Sequence, residues 1–115
     1  MAYVMPTGYI PGDPVRLWVD DDPVRKVPEG YIWLKSVNET IEAIKHFGRC
    51  GVEIAILDID HDAGSYACDG GDYIKILDWL EWVKISIPIR IHSMNPVGVA
   101  NMRRIIEKNG WKEIR

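Results

Sequence analysis

One segment constrains the fold more than any other: residues 52–58, which read Val-Glu-Ile-Ala-Ile-Leu-Asp. The segment is rich in β-branched residues, is apolar almost without interruption, and has the length of a strand. A strand with apolar side chains in consecutive positions is usually buried on both faces, as in parallel sheets that helices cover. The segment therefore predicts a central strand of an α/β sheet.

The segments around this strand alternate between strand and helix patterns. Strands are predicted at residues 15–19, 31–35, 87–92 and 111–114, and helices at residues 37–47, 73–83 and 96–108. Such alternation predicts a three-layer α/β fold with a mainly parallel sheet of five strands. Residues 1–14, with several prolines and glycines, are predicted to form an irregular arm, and residues 15–115 a single domain. The connection at residues 20–30 is short for a helical crossover, so the first helix is expected to be reduced.

The charge balance and the cysteines limit the kinds of partner and compartment. The net charge is −3, so broad electrostatic binding to duplex nucleic acid or to an anionic membrane is not expected. Cys50 and Cys68 are too few for a disulfide framework or a zinc ribbon and are interpreted as reduced thiols. No apolar run reaches the ~20 residues of a membrane span. The sequence therefore predicts a cytoplasmic protein that binds its ligand locally.

Two histidines directly follow the apolar stretches of predicted strands. His61 stands in Asp-His-Asp after the central strand, and His92 ends the strand at residues 87–92. The carboxyl ends of parallel strands meet at one edge of a sheet, which is where open α/β sheets bind ligands. A neutral imidazole can take a proton while a protonated one gives a proton, as the cleavage of a phosphodiester requires. We therefore predict that His61 and His92 form a catalytic acid/base pair.

Carboxylates are expected at the same edge. Asp20 and Asp21 follow the first strand, and Asp60 precedes His61. Clustered carboxylates can bind a divalent ion or orient a histidine, whereas a plain polar turn needs only one of them. The sequence predicts Asp20, Asp21 and Asp60 as ligands of a divalent cation, Mg²⁺ or Mn²⁺, with a polar turn as the alternative.

The residues after His92 open a helix. Asn95 is a favourable N-cap and Pro96 a favourable first helical residue, so helix capping alone would explain both. Gly98 lies in the first turn, where glycine costs about 1 kcal/mol, and the close approach of a ligand to the backbone would justify it. A helix N-terminus offers N–H groups to an anion. The predicted substrate-binding residues are therefore Ser93, Asn95, Gly98 and Asp60.

Together these motifs resemble a known family. The motifs are Val-Asp-Asp at residues 19–21, Asp-His-Asp at 60–62, Ile-His-Ser-Met-Asn-Pro-Val-Gly at 91–98 and Asn-Met at 101–102. They are similar to the cyclic-phosphate-processing receiver-like domains, which are diverged relatives of two-component receiver domains. The resemblance extends over residues 15–115. It implies a flavodoxin-like sheet, with the strand order 2-1-3-4-5 of a full receiver, and an activity on cyclic phosphates.

A receiver that is switched by phosphorylation needs a lysine after its last strand. By the resemblance, Asp58 or Asp60 would be the phosphorylated aspartate and Ser93 the switch hydroxyl. The lysine has no matching position, because Lys112 lies at the start of the last predicted strand. The added histidines and the missing lysine favour hydrolysis or binding over a phosphorylation switch.

Three hypotheses about function follow. The first is a phosphodiesterase that opens a cyclic nucleotide, or a 2′,3′-cyclic phosphate end of RNA, by histidine acid/base catalysis. The second is a protein that binds and sequesters a cyclic nucleotide without turnover. The third is a receiver-type signalling domain. The first two need the same phosphate site, so the sequence leaves both open.

Overall fold

A parallel sheet forms the centre of the fold. The computed structural model describes residues 3–22, 24 and 27–115. Among these residues the strands are β1 (Val15–Val19), β2 (Tyr31–Leu34), β3 (Ile54–Ile59) and β4 (Ile89–Ile91). They run parallel in the order β2-β1-β3-β4. This order is the one that the receiver resemblance implies, and it places β1 and β3 at the centre.

Three α-helices are found in the described part of the chain: α1 (Val37–Arg49), α2 (Ile74–Val83) and α3 (Pro96–Asn109). Ser36 caps α1, because its Oγ accepts a hydrogen bond from the Glu39 N–H, and Gly110 ends α3 in a left-handed conformation. α1 packs on α2, and α2 packs on α3. Judged on the described residues, each helix is too short or too polar to cross a membrane.

The predicted class, three-layer α/β with a parallel, receiver-like sheet, is confirmed, but the described sheet has four strands rather than five. The predicted fifth strand is reduced to one bridge between Ile89 and Glu113. Gly110, on the near side of this bridge, still belongs to the left-handed cap of α3. The segment therefore runs beside β4 only from Lys112, whose carbonyl accepts the Ile89 N–H.

The connection from β1 to β2 covers residues 20–30. Its described residues, 20–22, 24 and 27–30, contain no helix. The remaining residues of the connection, Pro23, Arg25 and Lys26, lie outside the described residues, so the reduced first helix stays a prediction. In the arm, residues 3–14 form turns without helix or strand.

The two faces of the sheet differ because side chains alternate along each strand. One face carries the fully buried apolar residues Leu17, Val19, Leu57, Ile59 and Ile89, which belong to the main core. The alternate positions hold Trp18 on β1 and Asp58 on β3, which pair in register. A row of polar and aromatic side chains therefore leads along this second face towards the carboxyl edge of the sheet.

Candidate active site

Strand register places three predicted residues side by side at the carboxyl edge of the sheet. Val19, Ile59 and Ile91 are aligned across β1, β3 and β4. The backbone keeps this alignment for one more residue, because Asp60 N–H donates to Val19 O at 2.9 Å and His92 N–H donates to Ile59 O at 3.0 Å. The next residues on the three strands are Asp20, Asp60 and His92, here called the strand-end cluster.

His92 has both ring nitrogens engaged. Nδ1 is 2.7 Å from Asp58 Oδ1, and Nε2 is 3.0 Å from Asp20 Oδ2. The ring stacks on Trp18, with 3.8 Å between the ring centroids and 1° between their planes. Because β3 lies between β4 and β1, the imidazole reaches across β3 to make these contacts. Only 7% of the His92 side chain is exposed, so three neighbours fix the ring in a buried position.

Two carboxylates on one imidazole define its hydrogen-bonding state. A carboxylate only accepts hydrogen bonds, so a ring nitrogen donates to its carboxylate whenever it carries the hydrogen. The Arg90 guanidinium contacts the other oxygen of Asp58, since it donates to Asp58 Oδ2 at 3.1 Å. Asp58 itself is 1% exposed. Arg90, Asp58, His92 and Asp20 therefore form a continuous row of hydrogen-bonded side chains, which is how buried polar groups are accommodated.

The strand-end cluster also has the composition of a cation site. One ligand atom from each of Asp20, Asp60 and His92 lies within 4.8 Å of the other two. This spacing allows bonds of about 2.1 Å to one ion, and carboxylates favour Mg²⁺ or Mn²⁺ while the imidazole also accepts softer ions. Asp58 supplies the hydrogen bond to the other ring nitrogen that metal-binding histidines usually make. These residues therefore fit a divalent cation.

Asp21 stands beside this set of ligand atoms rather than in it. The sequence predicts Asp21 as a cation ligand, whereas the imidazole of His92 takes the third position in the converging set. The Asp21 carboxylate lies against Gly64, where the Cβ of any other residue would overlap it. Burial raises the pKa of Asp21, and the charges of Asp20 and Asp60 raise it further. The raised pKa of Asp21 thus reflects the neighbouring carboxylates at this edge.

His61 lies on the loop after β3, against the N-terminus of α3. Its Nδ1 is 2.8 Å from Asp62 Oδ1 and 3.5 Å from Asn95 Nδ2. Within the described part of the chain, no hydrogen-bond partner meets its Nε2. The His61 side chain is 15% exposed and that of Asp62 is 59% exposed. Asp62 can therefore orient the ring while Nε2 is available to a ligand.

The structure explains why residue 98 is a glycine, which the sequence did not. A Cβ at this position would overlap the His61 ring, so the close approach to the Gly98 backbone is made by a side chain of the protein. The Gly98 N–H donates to Asn95 Oδ1 at 3.0 Å, and the Asn95 N–H donates to Ser93 Oγ at 3.1 Å. Ser93, Asn95 and Gly98 thus come together as a helix cap. Phosphate binding by these three residues stays a prediction.

The two groups of residues are joined at one point. Asp60 belongs to the strand-end cluster, and its Oδ1 accepts a hydrogen bond of 2.7 Å from the His61 N–H. The structure therefore brings every predicted site residue to the carboxyl edge, as one buried group around His92 and one more exposed group around His61. The catalytic pairing of the two histidines stays a prediction.

The sequence reasoning missed Trp18 and Arg90 as site residues, and it did not predict the contact of Asp58 with His92. Trp18, Asp58 and Arg90 occupy one row of the sheet register, two residues before the strand-end cluster. Period-two alternation from His92 and Asp60 could have found them, because residues two apart share a face. Trp18 Nε1 is buried without a hydrogen-bond partner among the described residues. The stack on His92 is therefore kept although an indole N–H is left unsatisfied.

The comparison with protein families agrees with the resemblance seen in the motifs. The model of the cyclic-phosphate processing receiver domain matches residues 15–108. Because this match covers most of the chain, the protein belongs to that family. No curated protein and no solved structure matches significantly.

Proposed function

We propose that the protein is a cyclic phosphodiesterase that hydrolyses one P–O bond of a cyclic nucleotide or of a 2′,3′-cyclic phosphate end. The observation that carries the proposal is the strand-end cluster, where the buried carboxylates of Asp20 and Asp60 converge with the imidazole of His92. Ionisable groups gathered at the carboxyl edge of a parallel sheet are typical of functional sites. The family supports the substrate class, since its description is cyclic-phosphate processing.

In this proposal Asp20, Asp60 and His92 hold a divalent cation, Mg²⁺ or Mn²⁺. Bound there, the cation would supply positive charge to a phosphate oxygen and relieve the repulsion among the carboxylates. His92 would contribute Nε2, whose contact with Asp20 the cation would replace, while its Nδ1–H donates to Asp58, which fixes the ring orientation. The buried position of His92 fits this role because it needs no movement of the ring.

His61 is the member of the proposed acid/base pair that exchanges a proton with the substrate. Its Nδ1 faces Asp62, so Nε2 can act as the base. A water oxygen attacks phosphorus, Nε2 takes the proton from that water, and the bond from phosphorus to one ribose oxygen breaks. The proton then passes from His61 to that ribose oxygen, which returns the histidine to its starting state. His92 is the other histidine of the predicted pair, and in this proposal it would hold the cation rather than move a proton.

The phosphate itself would lie between the strand-end cluster and the N-terminus of α3. Ser93 Oγ accepts from the Asn95 N–H, which leaves its own hydrogen for a phosphate oxygen. Asn95 and Gly98 position this helix end against His61. The partial positive charge of the helix N-terminus favours the anion at this place.

The test is a panel of cyclic mononucleotides, cyclic dinucleotides and oligonucleotides with 2′,3′-cyclic ends, incubated with Mg²⁺, with Mn²⁺ or with a chelator. We expect turnover of at least one substrate, and a loss of about 10²-fold or more in kcat for His61→Gln. His46→Gln is the matched control, because His46 lies in α1 and contacts Tyr3 and Phe47 rather than the site. Asp60→Asn is expected to abolish the stimulation by the cation.

The outcomes of the panel separate the remaining hypotheses. Tight binding of one compound without formation of product would favour the hypothesis of a sequestering protein over that of an enzyme. Phosphorylation of Asp58 or Asp60 by a small phosphodonor would favour the receiver-type switch. We expect no phosphorylation, because Asp58 is 1% exposed. In addition, Lys112 lies beside Ile89 at the start of β4, whereas the site lies at the other end of that strand.

A further inference from the structure

An open groove with a volume of about 710 Å³ runs along α3 from the candidate active site. It begins at Ser93 and Met94, immediately after His92, and continues past Val99 to Arg103 and Arg104. The volume is in the range of sites that hold a ligand of nucleotide size, about 300–1,000 Å³. Ser93 therefore belongs both to the groove and to the proposed phosphate site.

The walls of the groove combine apolar groups with two arginines and one carboxylate, that of Glu107. Met94 is 88% exposed and adds a polarisable side chain near the site. The Arg103 guanidinium is held in place by Glu113, whose Oε2 accepts from Arg103 Nε at 2.8 Å, and Arg104 donates to Asn101 Oδ1 at 3.0 Å. Each guanidinium has further N–H groups in a planar fork that suits a phosphate. The groove thus offers apolar surface beside two guanidinium groups, of which that of Arg103 is paired with the carboxylate of Glu113, whereas that of Arg104 contacts the amide of Asn101.

We propose that this groove binds the nucleotides that precede a terminal 2′,3′-cyclic phosphate, so that the substrate is an RNA end rather than a free cyclic nucleotide. The inference rests on the proposed function, because the cyclic phosphate itself is taken to lie at the strand-end cluster. A cyclic mononucleotide has a single phosphate, and that phosphate would occupy the site and leave none for Arg103 and Arg104. A chain of nucleotides supplies backbone phosphates to the arginines and sugar and base surfaces to Met94 and Val99.

The charge of the whole protein limits the length of RNA that is held. The net charge is −3, so the remaining surface does not attract a long polyanion. Two arginines can neutralise about two phosphates, which predicts a shallow dependence of binding on salt, with a slope of about −0.7 per phosphate. The groove is therefore suited to a short single-stranded end.

The experiment compares a nucleoside 2′,3′-cyclic phosphate with a trinucleotide that ends in the same group. We expect a lower KM for the trinucleotide with the unchanged protein. Arg104→Gln should raise that KM by about 5-fold and reduce its salt slope by about 0.7, while KM for the mononucleotide stays unchanged. Lys45→Gln is the matched control, since Lys45 is an exposed cation on α1. Arg104 is the residue to replace because Arg103 also holds Glu113.

The experiment can reject RNA binding in the groove without rejecting the proposed phosphodiesterase function. Turnover of both substrates with equal KM, or an unchanged KM in Arg104→Gln, would overturn the groove and leave the phosphodiesterase in place. If no cyclic phosphate is turned over, fluorescence anisotropy with the labelled trinucleotide decides. Binding that weakens about 5-fold in Arg104→Gln supports the groove, and unchanged or absent binding overturns it. A preference for a cyclic dinucleotide over the trinucleotide would also overturn it.

Discussion

His61 and His92 follow neighbouring strands, yet the protein holds the two side chains in different ways. His92 is fixed by the sheet, because Asp58 and Asp20 engage both nitrogens and Trp18 covers one ring face. His61 is fixed by a loop and a helix, with one nitrogen at the exposed carboxylate of Asp62 and the ring against Gly98. The same residue type therefore has a saturated, buried setting in one place and a half-saturated, more open setting in the other.

This difference suggests that the two histidines have different roles at the site. A histidine whose nitrogens both contact buried carboxylates contributes mainly to stability, since moving a proton at either nitrogen would disturb one of these contacts. A histidine with one nitrogen oriented and the other available can transfer protons. We expect replacements at His92 to affect folding first and replacements at His61 to affect turnover first. The following predictions test that division, from the largest expected effect to the smallest.

The largest effect is expected for His92→Leu. Removal of the ring takes a shared hydrogen-bonding partner from the buried carboxylates of Asp58 and Asp20, and removing one partner of a buried carboxylate costs up to about 3–5 kcal/mol. His61→Leu is expected to cost less than about 1 kcal/mol, because water can solvate Asp62, which is 59% exposed. Urea denaturation of both variants gives the two free energies of unfolding. Equal losses at the two positions would contradict the division.

Gly98→Ala tests the contact between His61 and α3. Alanine favours a helix over glycine by about 1 kcal/mol, but its Cβ would overlap the His61 ring, and such overpacking costs about 1–3 kcal/mol. We expect net destabilisation measured by thermal unfolding, together with lower turnover because the ring must move.

Two further variants show whether the ring is the cause. Gly98→Ala combined with His61→Ala should recover the stability lost at Gly98, because the space occupied by the ring is vacated. Gly48→Ala in α1 is the control, since no atom beyond its immediate neighbours lies within 4 Å of the added Cβ. That control should be stabilised by about 0.5–1 kcal/mol. Stabilisation by Gly98→Ala as well would rule out the close contact.

Trp18 tests the stack that covers His92. Trp18→Leu should cost about 1 kcal/mol more than Trp18→Phe, because only phenylalanine keeps an aromatic face for the imidazole. The free energy of unfolding from chemical denaturation measures both. Trp82→Phe is the control, since Trp82 is 83% exposed and the change should stay within about 0.5 kcal/mol. If Trp18→Leu and Trp18→Phe lower the free energy of unfolding equally, the Trp18 ring stabilises the protein through buried area and not through aromatic stacking.

The smallest effect concerns Asp69, which anchors the far end of the loop that begins at His61. Hydrogen bonds from Ser36 Oγ and Asn38 Nδ2 lower the pKa of Asp69 below 3.8. The stability that its carboxylate contributes is therefore present above that pH and is lost as the pH falls through the lowered pKa. Asp69→Asn should lower the melting temperature slightly near neutral pH, and the difference should vanish in strong acid. A difference independent of pH would assign the effect to packing.

Much of the fold could be predicted from local pattern. Apolar runs and helical spacing located the strands and helices, and the parallel arrangement implied that Asp20, Asp60 and His92 would share an edge. The predicted fifth strand is only a single bridge, because the cap of α3 extends to Gly110. The number of C-terminal residues that can pair with β4 depends on where that cap ends. Cation binding by Asp21 stays a prediction, and the sequence did not suggest that His92 would join Asp20 and Asp60 in the converging set of ligand atoms, because it follows β4, far along the chain.

By itself, the sequence determined the element types, the edge at which polar residues gather and the family motif at residues 91–98. These features depend on side-chain periodicity and on short motifs, which act over a few residues. Only the tertiary structure decided that His92 turns across β3 to Asp20 and Trp18, and that Gly98 makes room for His61. Those contacts depend on strand register and on the packing of a loop against a helix, and both are set by pairings between residues that are distant in the chain.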